Sequence, residues 1–279
     1  MKRSLLVGFV LAFLCEFVAA QTPAELIRSA REELAKNDHA AALKLVSKAI
    51  ADDPKNLVAL SLRATIHERL DKYTDVVADY SRILAIDKTL ASAWQDRGSA
   101  NFKAGKIGES IADFDQYIAL NPGAKISHWQ RGISYYYAGK FDEGTKQFEG
   151  YQDFDSNDVE NAVWRFMCMT RKVGMEKSRK AMLKIGDDRR VPMRQVYDLY
   201  KGDLKPADVL AAAKAGNPDP VRLSRQLFYA HLYVGIYYDL LGDTKQALDH
   251  LNKATNDHRI GHYMWDVARV HRDLLAKSK

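Results

Sequence analysis

Three groups of residues in this sequence have types and spacings that could support chemistry. Residues 131–144, RGISYYYAGKFDEG, place three consecutive tyrosines among glycines, and Gly139 with Lys140 could belong to a phosphate-binding loop. His258 and His262 lie four residues apart, a spacing that can put two imidazoles on one helix face for a metal ion. Cys168 is the only cysteine after the first twenty residues and could act as a nucleophile.

Each of these chemical sites lacks a feature that its reaction needs. Gly139-Lys140 lacks the P-loop spacing and follows a helical pattern, whereas a P-loop follows a strand. The histidine pair lacks the glutamate of zinc hydrolases and has Gly261 inside it, while Cys168 lies in the apolar run WRFMCMT, which favours a buried thiol. We therefore expect no enzyme, no cofactor and no metal. A metal-binding or enzymatic protein centred on the two histidines is the alternative function.

The elements that position these residues follow a repeat. Residues 97–122 align without a gap on residues 131–156, so that Arg97 corresponds to Arg131 and Gly98 to Gly132, each 34 residues later. Weaker copies precede them, and residues 232–255 repeat the pattern again. Apolar residues recur three and four apart, and Gly105, Gly139 and Gly242 break the chain between successive helices. The period predicts stacked helix pairs.

The repeat resembles the tetratricopeptide repeat family. Small residues such as Gly98, Gly132 and Gly235 match the family's close contact between helices A and B, and Phe114 and Phe148 match its large residue on helix B. The resemblance implies an all-α, right-handed superhelical solenoid. We expect about six helix pairs and a closing helix over residues 260–275. The predicted organisation is a signal peptide (1–20), four repeat units (21–158), two degenerate helical pairs (159–227), and a last unit with a capping helix (228–279).

The order of units is similar to that of the NlpI-type tetratricopeptide lipoproteins of Gram-negative bacteria. Three segments carry this resemblance: residues 131–139, the insert VYDLYKGDLKPADVLAAA (196–213), and residues 227–258. The resemblance implies a periplasmic adaptor, often a homodimer, that docks cell-wall hydrolases onto a protease. The N-terminus departs from it at Cys15.

A partner groove is expected along the inner face of the A helices in the third and fourth units. The repeat register places seven residues there: Gln95, Phe102, Lys103, Trp129, Ile133, Tyr136 and Tyr137. The same register assigns Tyr135 to the core. An apolar, aromatic face of this kind indicates a protein or peptide partner, and coverage by the C-terminal helices or by a second copy in a homodimer is the alternative.

A second candidate surface is basic. Residues 165–194 contain ten basic residues and three acidic ones, which could dock an acidic protein, an anionic lipid or a wall polymer. The basic face is predicted to comprise Arg171, Lys172, Lys177, Arg179, Lys180 and Lys184. A solvated helix face is the plainer interpretation. The total charge of +6 is too small for us to expect a nucleic-acid partner in an exported protein.

The N-terminus predicts export. Lys2 and Arg3 precede an apolar run over residues 5–15, and small residues lead up to Ala20, as in a secretory signal peptide cleaved there. Lipid anchoring at Cys15 normally needs a small residue before the cysteine, but Leu14 stands there. We therefore expect a periplasmic or secreted protein without a lipid anchor. No later segment is apolar and long enough for a transmembrane helix.

Overall fold

The computed structural model describes residues 21–277, and all regular elements within that range are helical. The all-α prediction is confirmed. The predicted signal peptide, with Cys15, lies outside the described residues. The chain divides into two compact units, one ending at Ile66 and the other starting at His67.

The first unit begins with a pair of helices, and a capping box marks the start of the first one. The Thr22 hydroxyl accepts from the Glu25 amide at 3.3 Å, and the Glu25 carboxylate accepts from the Thr22 amide at 2.8 Å, a capping box ahead of Pro23. The helices are α1 (Pro23–Ala35), α2 (His39–Asp52) and α3 (Leu57–Arg69), of which α3 continues into the second unit.

The second unit contains the rest of the helices. They are α4 (Tyr73–Ile86), α5 (Ala91–Lys103), α6 (Ile107–Leu120), α7 (Trp129–Tyr137), α8 (Phe141–Phe154), α9 (Val159–Val173), α10 (Met175–Lys180), α11 (Met193–Lys201), α12 (Pro206–Lys214), α13 (Pro220–Leu240), α14 (Thr244–Asn252) and α15 (Tyr263–Lys277). A π-helical turn follows α14 at Lys253–Asp257. The predicted insert forms α11 and α12, and the predicted closing helix is α15, which begins three residues later than expected.

Close helix contacts explain the glycines of the repeat. A Cβ atom on Gly132 would lie 2.7 Å from the Phe148 ring, and one on Gly98 would lie 2.8 Å from Phe114. Real Cβ atoms do not approach other atoms so closely, so a side chain at either position would push α7 from α8 or α5 from α6. The predicted contact between a small residue on helix A and a large one on helix B is confirmed.

Arginines spaced 34 residues apart form equivalent contacts in three successive repeats. Arg97 donates to Asp113 on α6 at 2.7 Å and to the Ser81 hydroxyl on α4 at 3.1 Å. Arg131 likewise bridges Gln147 on α8 (2.6 Å) and Asp115 on α6 (2.9 Å). The third member of this arginine ladder, Arg165, contacts Glu149 and the Ala181 carbonyl. Each arginine therefore links two neighbouring helices, and the repeat period carries the contact from one pair to the next.

The last helix, α15, packs against helices that come much earlier in the second unit. α15 contacts α5, α13 and α14. Asp266 on α15 accepts from the Tyr73 hydroxyl at 2.7 Å, and Arg269 donates to the Lys103 carbonyl at 2.6 Å. These bonds join residues more than 160 positions apart, so α15 is fixed by non-local packing and not by the repeat.

Candidate functional site

α15 covers most of the face predicted as the partner groove. Phe102, Ile133 and Tyr136 are at most 5% exposed. The Tyr263 ring of α15 stacks on Phe102 with centroids 5.3 Å apart, and the Tyr137 hydroxyl bonds His271 Nδ1 at 3.0 Å. Coverage by the C-terminal helices, the alternative stated from the sequence, therefore describes Phe102 and Tyr137, whereas Tyr136 packs against Trp164 of α9.

The two polar residues of the predicted groove form hydrogen bonds or ion pairs with other residues of the chain. Gln95 donates to Gln130 at 2.5 Å and accepts from His128 Nε2 at 2.7 Å. The Lys103 ammonium forms an ion pair with Glu68, and Asp266 lies 3.7 Å away. Both side chains hold neighbouring elements together. Trp129, at the start of α7, is partly exposed, as are Gln95, Lys103 and Tyr137.

The tyrosine triplet is arranged differently from the register prediction. Tyr135, predicted to be core, is only half-buried, and Arg131 and Lys140 lie over its ring at 5.5 and 6.0 Å. Tyr136, predicted to face a groove, is buried against Trp164 with its hydroxyl 3.2 Å from Arg171. Tyr135 is therefore not a fully buried core residue: its hydroxyl lies 3.4 Å from Asp115, and its ring packs beside charged side chains.

Acidic residues pair with three of the six residues of the predicted basic face. Arg171 pairs with Asp239 on α13, and Lys172 pairs with Asp142 on α8. Lys180 pairs with Glu176 at 3.1 Å. Arg179 is half-buried and donates to the Tyr200 carbonyl and the Tyr237 hydroxyl. Lys177 and Lys184 are exposed, and neither forms an ion pair with the described residues.

The C-terminal histidines that could have formed a metal pair are separated. His262 stacks on Trp129 with centroids 6.4 Å apart, whereas His258 stacks on His231 at 5.7 Å. Among residues 21–277, no group of three or more His, Cys, Asp or Glu side chains is arranged to hold a metal ion. Cys168 is buried where a Cβ on Gly144 would meet its sulfur, and burial raises the pKa of the thiol to about 12. The buried-thiol prediction is confirmed.

A histidine cluster, formed by His231, His250 and His258, lies between α13, α14 and the following loop. His231 Nδ1 and His250 Nδ1 are 2.9 Å apart, so that one ring donates to the other. Both residues are less than a tenth exposed. Burial lowers the pKa of His231 to about 4, and the pKa values of His250 and His258 are also lowered, chiefly by burial. The cluster is therefore uncharged at neutral pH.

The aromatic cavity is an opening among the helices of the second unit. It has a volume of about 220 Å³ and lies between α7, α8, α9, α13 and the start of α15. Five aromatic residues contribute to its lining: Trp129, Phe148, Tyr151, Trp164 and Tyr229. Phe148 and Trp164 are buried and form its floor, while Trp129 and Tyr229 are partly exposed at its rim.

One side of the aromatic cavity is ionic. Asp158 is the N-cap of α9 and accepts from the Glu160 amide at 3.0 Å, which places both carboxylates at the first turn of that helix. Arg190 binds Asp158 at 2.5 Å, Glu160 at 2.8 Å and Asp188 at 2.6 Å. Glu160 also accepts from the Tyr233 hydroxyl at 2.5 Å. Burial raises the pKa of Glu160 to about 7 against the opposing effect of Arg190.

Two residues in the lining carry buried polar atoms without a hydrogen-bond partner. These atoms are Oδ1 of Asn161 and Nε1 of Trp164, whose residues are only 3% and 2% exposed. Buried polar atoms are normally satisfied, because leaving one unpaired costs about 1–3 kcal/mol. An acceptor and a donor thus remain unpaired in residues that line the cavity. The ring of the rim histidine His262 stacks on Trp129, and this partial burial, with a smaller effect of Arg190, lowers its pKa.

Comparison with known proteins agrees with the helix-pair architecture. The tetratricopeptide repeat family model matches residues 27–91. The chain contains tetratricopeptide repeats. No curated protein matches the sequence.

Solved tetratricopeptide structures resemble the whole chain at low identity. A tetratricopeptide repeat protein from Parabacteroides merdae is 15% identical, covers 92% of this chain and 100% of its own, and superposes with a TM-score of 0.59. The C-terminal part of a tetratricopeptide protein from Cytophaga hutchinsonii is 16% identical, with 87% and 98% covered and a TM-score of 0.50. At such identities the likeness shows the tetratricopeptide fold alone.

Sequence reasoning placed Trp129 and Ile133 at the tetratricopeptide inner face but missed the rest of the aromatic cavity. The positions of Asp158 and Glu160 could have been predicted from the sequence, because acidic residues at the N-cap and in the first turn are typical of a helix start. Arg190 was assigned to the basic run by its charge alone. No periodic signal links Asp158, Glu160 and Arg190 to Tyr229, because the segments that meet at the cavity are far apart in the chain.

Proposed function

We propose that the chain is an exported tetratricopeptide adaptor that binds a protein or peptide partner at the aromatic cavity and catalyses no reaction. The single observation that carries this proposal is the cavity itself: an opening with an aromatic lining and a few polar groups, which is the usual form of a ligand pocket. Tetratricopeptide repeats as a class mediate protein–protein interactions. The helix pairs around the cavity are preformed, so binding would lose little free energy in ordering the site.

Export and the kind of partner are parts of the proposal that rest on the sequence. The basic N-terminus, apolar run and small residues before Gln21 support cleavage near Ala20 and a periplasmic or secreted protein. The resemblance to NlpI-type proteins supports docking of envelope hydrolases or proteases, with homodimerisation as a further part of the proposal. In the described range no helix has both the length and the apolar character that a membrane span requires.

Quantitative capture from the native envelope fraction tests the proposed binding site. The bait proteins are the mature chain, Trp129→Ala, Tyr229→Ala and the matched control Trp94→Ala. Trp94 is a partly exposed tryptophan on α5 whose indole donates to the Lys88 carbonyl, and it does not line the cavity. We expect the control to retain the same partners as the wild type and both rim variants to retain at least about tenfold less. Equal retention by all four baits, with unchanged circular dichroism and Tm, would overturn the proposal.

A further inference from the structure

The aromatic cavity is rich in groups that attract positive charge. The faces of aromatic rings are electronegative, and a cation within about 6 Å of a ring centroid gains about 0.5–2 kcal/mol. Asp158 and Glu160 add carboxylates to the same lining, which also includes the amide residue Asn161. Apart from Arg190, the donors in the lining are neutral at pH 7.

The carboxylates outnumber the guanidinium that neutralises them. Arg190 is shared among Asp158, Glu160 and Asp188, so one positive charge faces three negative ones. Arg190 is also half-exposed, with 49% of its side chain in contact with solvent, whereas the side chains of Asp188 and Glu160 are 5% and 13% exposed. The ion-pair network therefore contains more carboxylates than guanidinium groups.

The groups around Glu160 come from several elements. They are Asp158 on α9, Asp188 and Arg190 in the loop before α11, Tyr229 and Tyr233 on α13, Tyr151 on α8, His262 before α15, and Arg225 on α13, whose charge reaches Tyr229 and His262. Even with Arg225 counted, three carboxylates face two guanidinium groups.

We propose that the aromatic cavity binds the cationic side chain of a lysine or arginine in the partner peptide. Arg190 shows that the acidic side of the site accepts a guanidinium, and the aromatic lining would enclose the aliphatic stem. At about 30 Å³ per water molecule the cavity has room for at least about seven waters, enough for such a side chain. This inference rests on the proposed peptide-binding function and names the chemistry of its ligand.

Proton linkage gives the proposal a specific signature. A bound cation favours the ionised form of Glu160, so the complex releases a proton when it forms below the pKa of about 7. Affinity should therefore fall about tenfold between pH 8 and pH 6. Glu160→Gln removes this dependence, because glutamine keeps the shape of the side chain and does not titrate in this range.

The test uses capped tripeptides with a central lysine or arginine, and matched neutral peptides with norleucine or citrulline. Binding to the mature chain is followed through the ¹⁵N-labelled tryptophan indole resonances and by calorimetry. We expect the cationic peptides to bind at least about tenfold more tightly than the neutral ones at pH 8. The pH dependence should disappear in Glu160→Gln and persist in the control Glu176→Gln, whose exposed carboxylate pairs only with Lys180.

The outcomes separate this inference from the proposed function. Equal binding of neutral and cationic peptides would overturn the cationic ligand while leaving peptide binding intact. If none of the peptides shifts the tryptophan resonances, the cationic ligand is overturned, and the capture experiment alone decides the adaptor function. Should Glu160→Gln fail to fold, Trp129→Ala at the rim tests the same site, and unchanged affinity for the cationic peptides would also overturn the inference.

Discussion

The aromatic cavity and the histidine cluster bury ionisable groups of opposite kind in the same compact unit. In the cavity, burial raises the pKa of Glu160 to about 7. In the cluster, burial lowers the pKa of His231 to about 4. Both shifts favour the uncharged form, since desolvation penalises charge of either sign. The difference is that the cavity keeps an opening and unpaired polar atoms, whereas the paired cluster rings satisfy each other.

The two regions should respond to pH in opposite directions. The folded pKa of His231 is below its ordinary value of 6.5, so its contribution to stability is lost as pH falls from about 6.5 to 4. The folded pKa of Glu160 is above its ordinary value of 4.5, so its contribution is lost as pH rises from about 4.5 to 7. The effects partly cancel in the wild-type chain, and single variants should separate them.

The largest effect is expected from His231→Asn. Asparagine can still bond His250 but does not titrate, so the acid-induced loss of unfolding free energy should shrink by about 3 kcal/mol between pH 6.5 and pH 4. Urea denaturation at a series of pH values measures the change. An unchanged slope in this window would show that His231 does not govern acid sensitivity.

A smaller effect of opposite sign is expected from Glu160→Gln. The decline of stability between pH 4.5 and pH 7 should weaken by about 2 kcal/mol, because glutamine does not titrate in this range. The same denaturation series compares it with Glu176→Gln. If the pH dependence of the unfolding free energy changes equally in both variants, Glu160 is not its cause.

Ligand binding should distinguish the two regions more sharply than stability does. Trp129→Ala should lower peptide affinity at least about tenfold while changing the free energy of unfolding by only about 1 kcal/mol, because Trp129 is at the rim. His231→Asn should leave affinity within about twofold. Calorimetric titration of both proteins provides the check, and a loss of binding in His231→Asn would mean that the two regions are coupled.

The smallest effect on stability is expected on the basic face. Lys177→Glu and Lys184→Glu change exposed side chains without ion pairs among the described residues and should alter stability by less than about 0.5 kcal/mol. Their pH profiles should match the wild type. If they nevertheless abolish partner capture, the basic face and not the aromatic cavity is the docking surface.

The sequence by itself determined the repeating part of this protein. A fixed period places Gly98, Gly132 and Gly235 of helix A against a large residue of helix B, and it sets Arg97, Arg131 and Arg165 into equivalent bridges. These contacts join residues close in the chain, so residue size and spacing are enough to predict them. The predicted breaks at Gly105 and Gly139 also hold, with φ of +77° and +71°, values that favour glycine.

The tertiary structure alone decided where the candidate site lies. α15 packs onto Phe102 and Tyr137, and α9 packs onto Tyr136, which takes these residues away from a partner groove. The same return of the C-terminal helices brings Tyr229 beside Glu160 and Arg190. These contacts span tens to more than a hundred residues and obey no period. They depend on which apolar faces remain uncovered once the helix pairs have formed, and the repeat pattern carries no information about that choice.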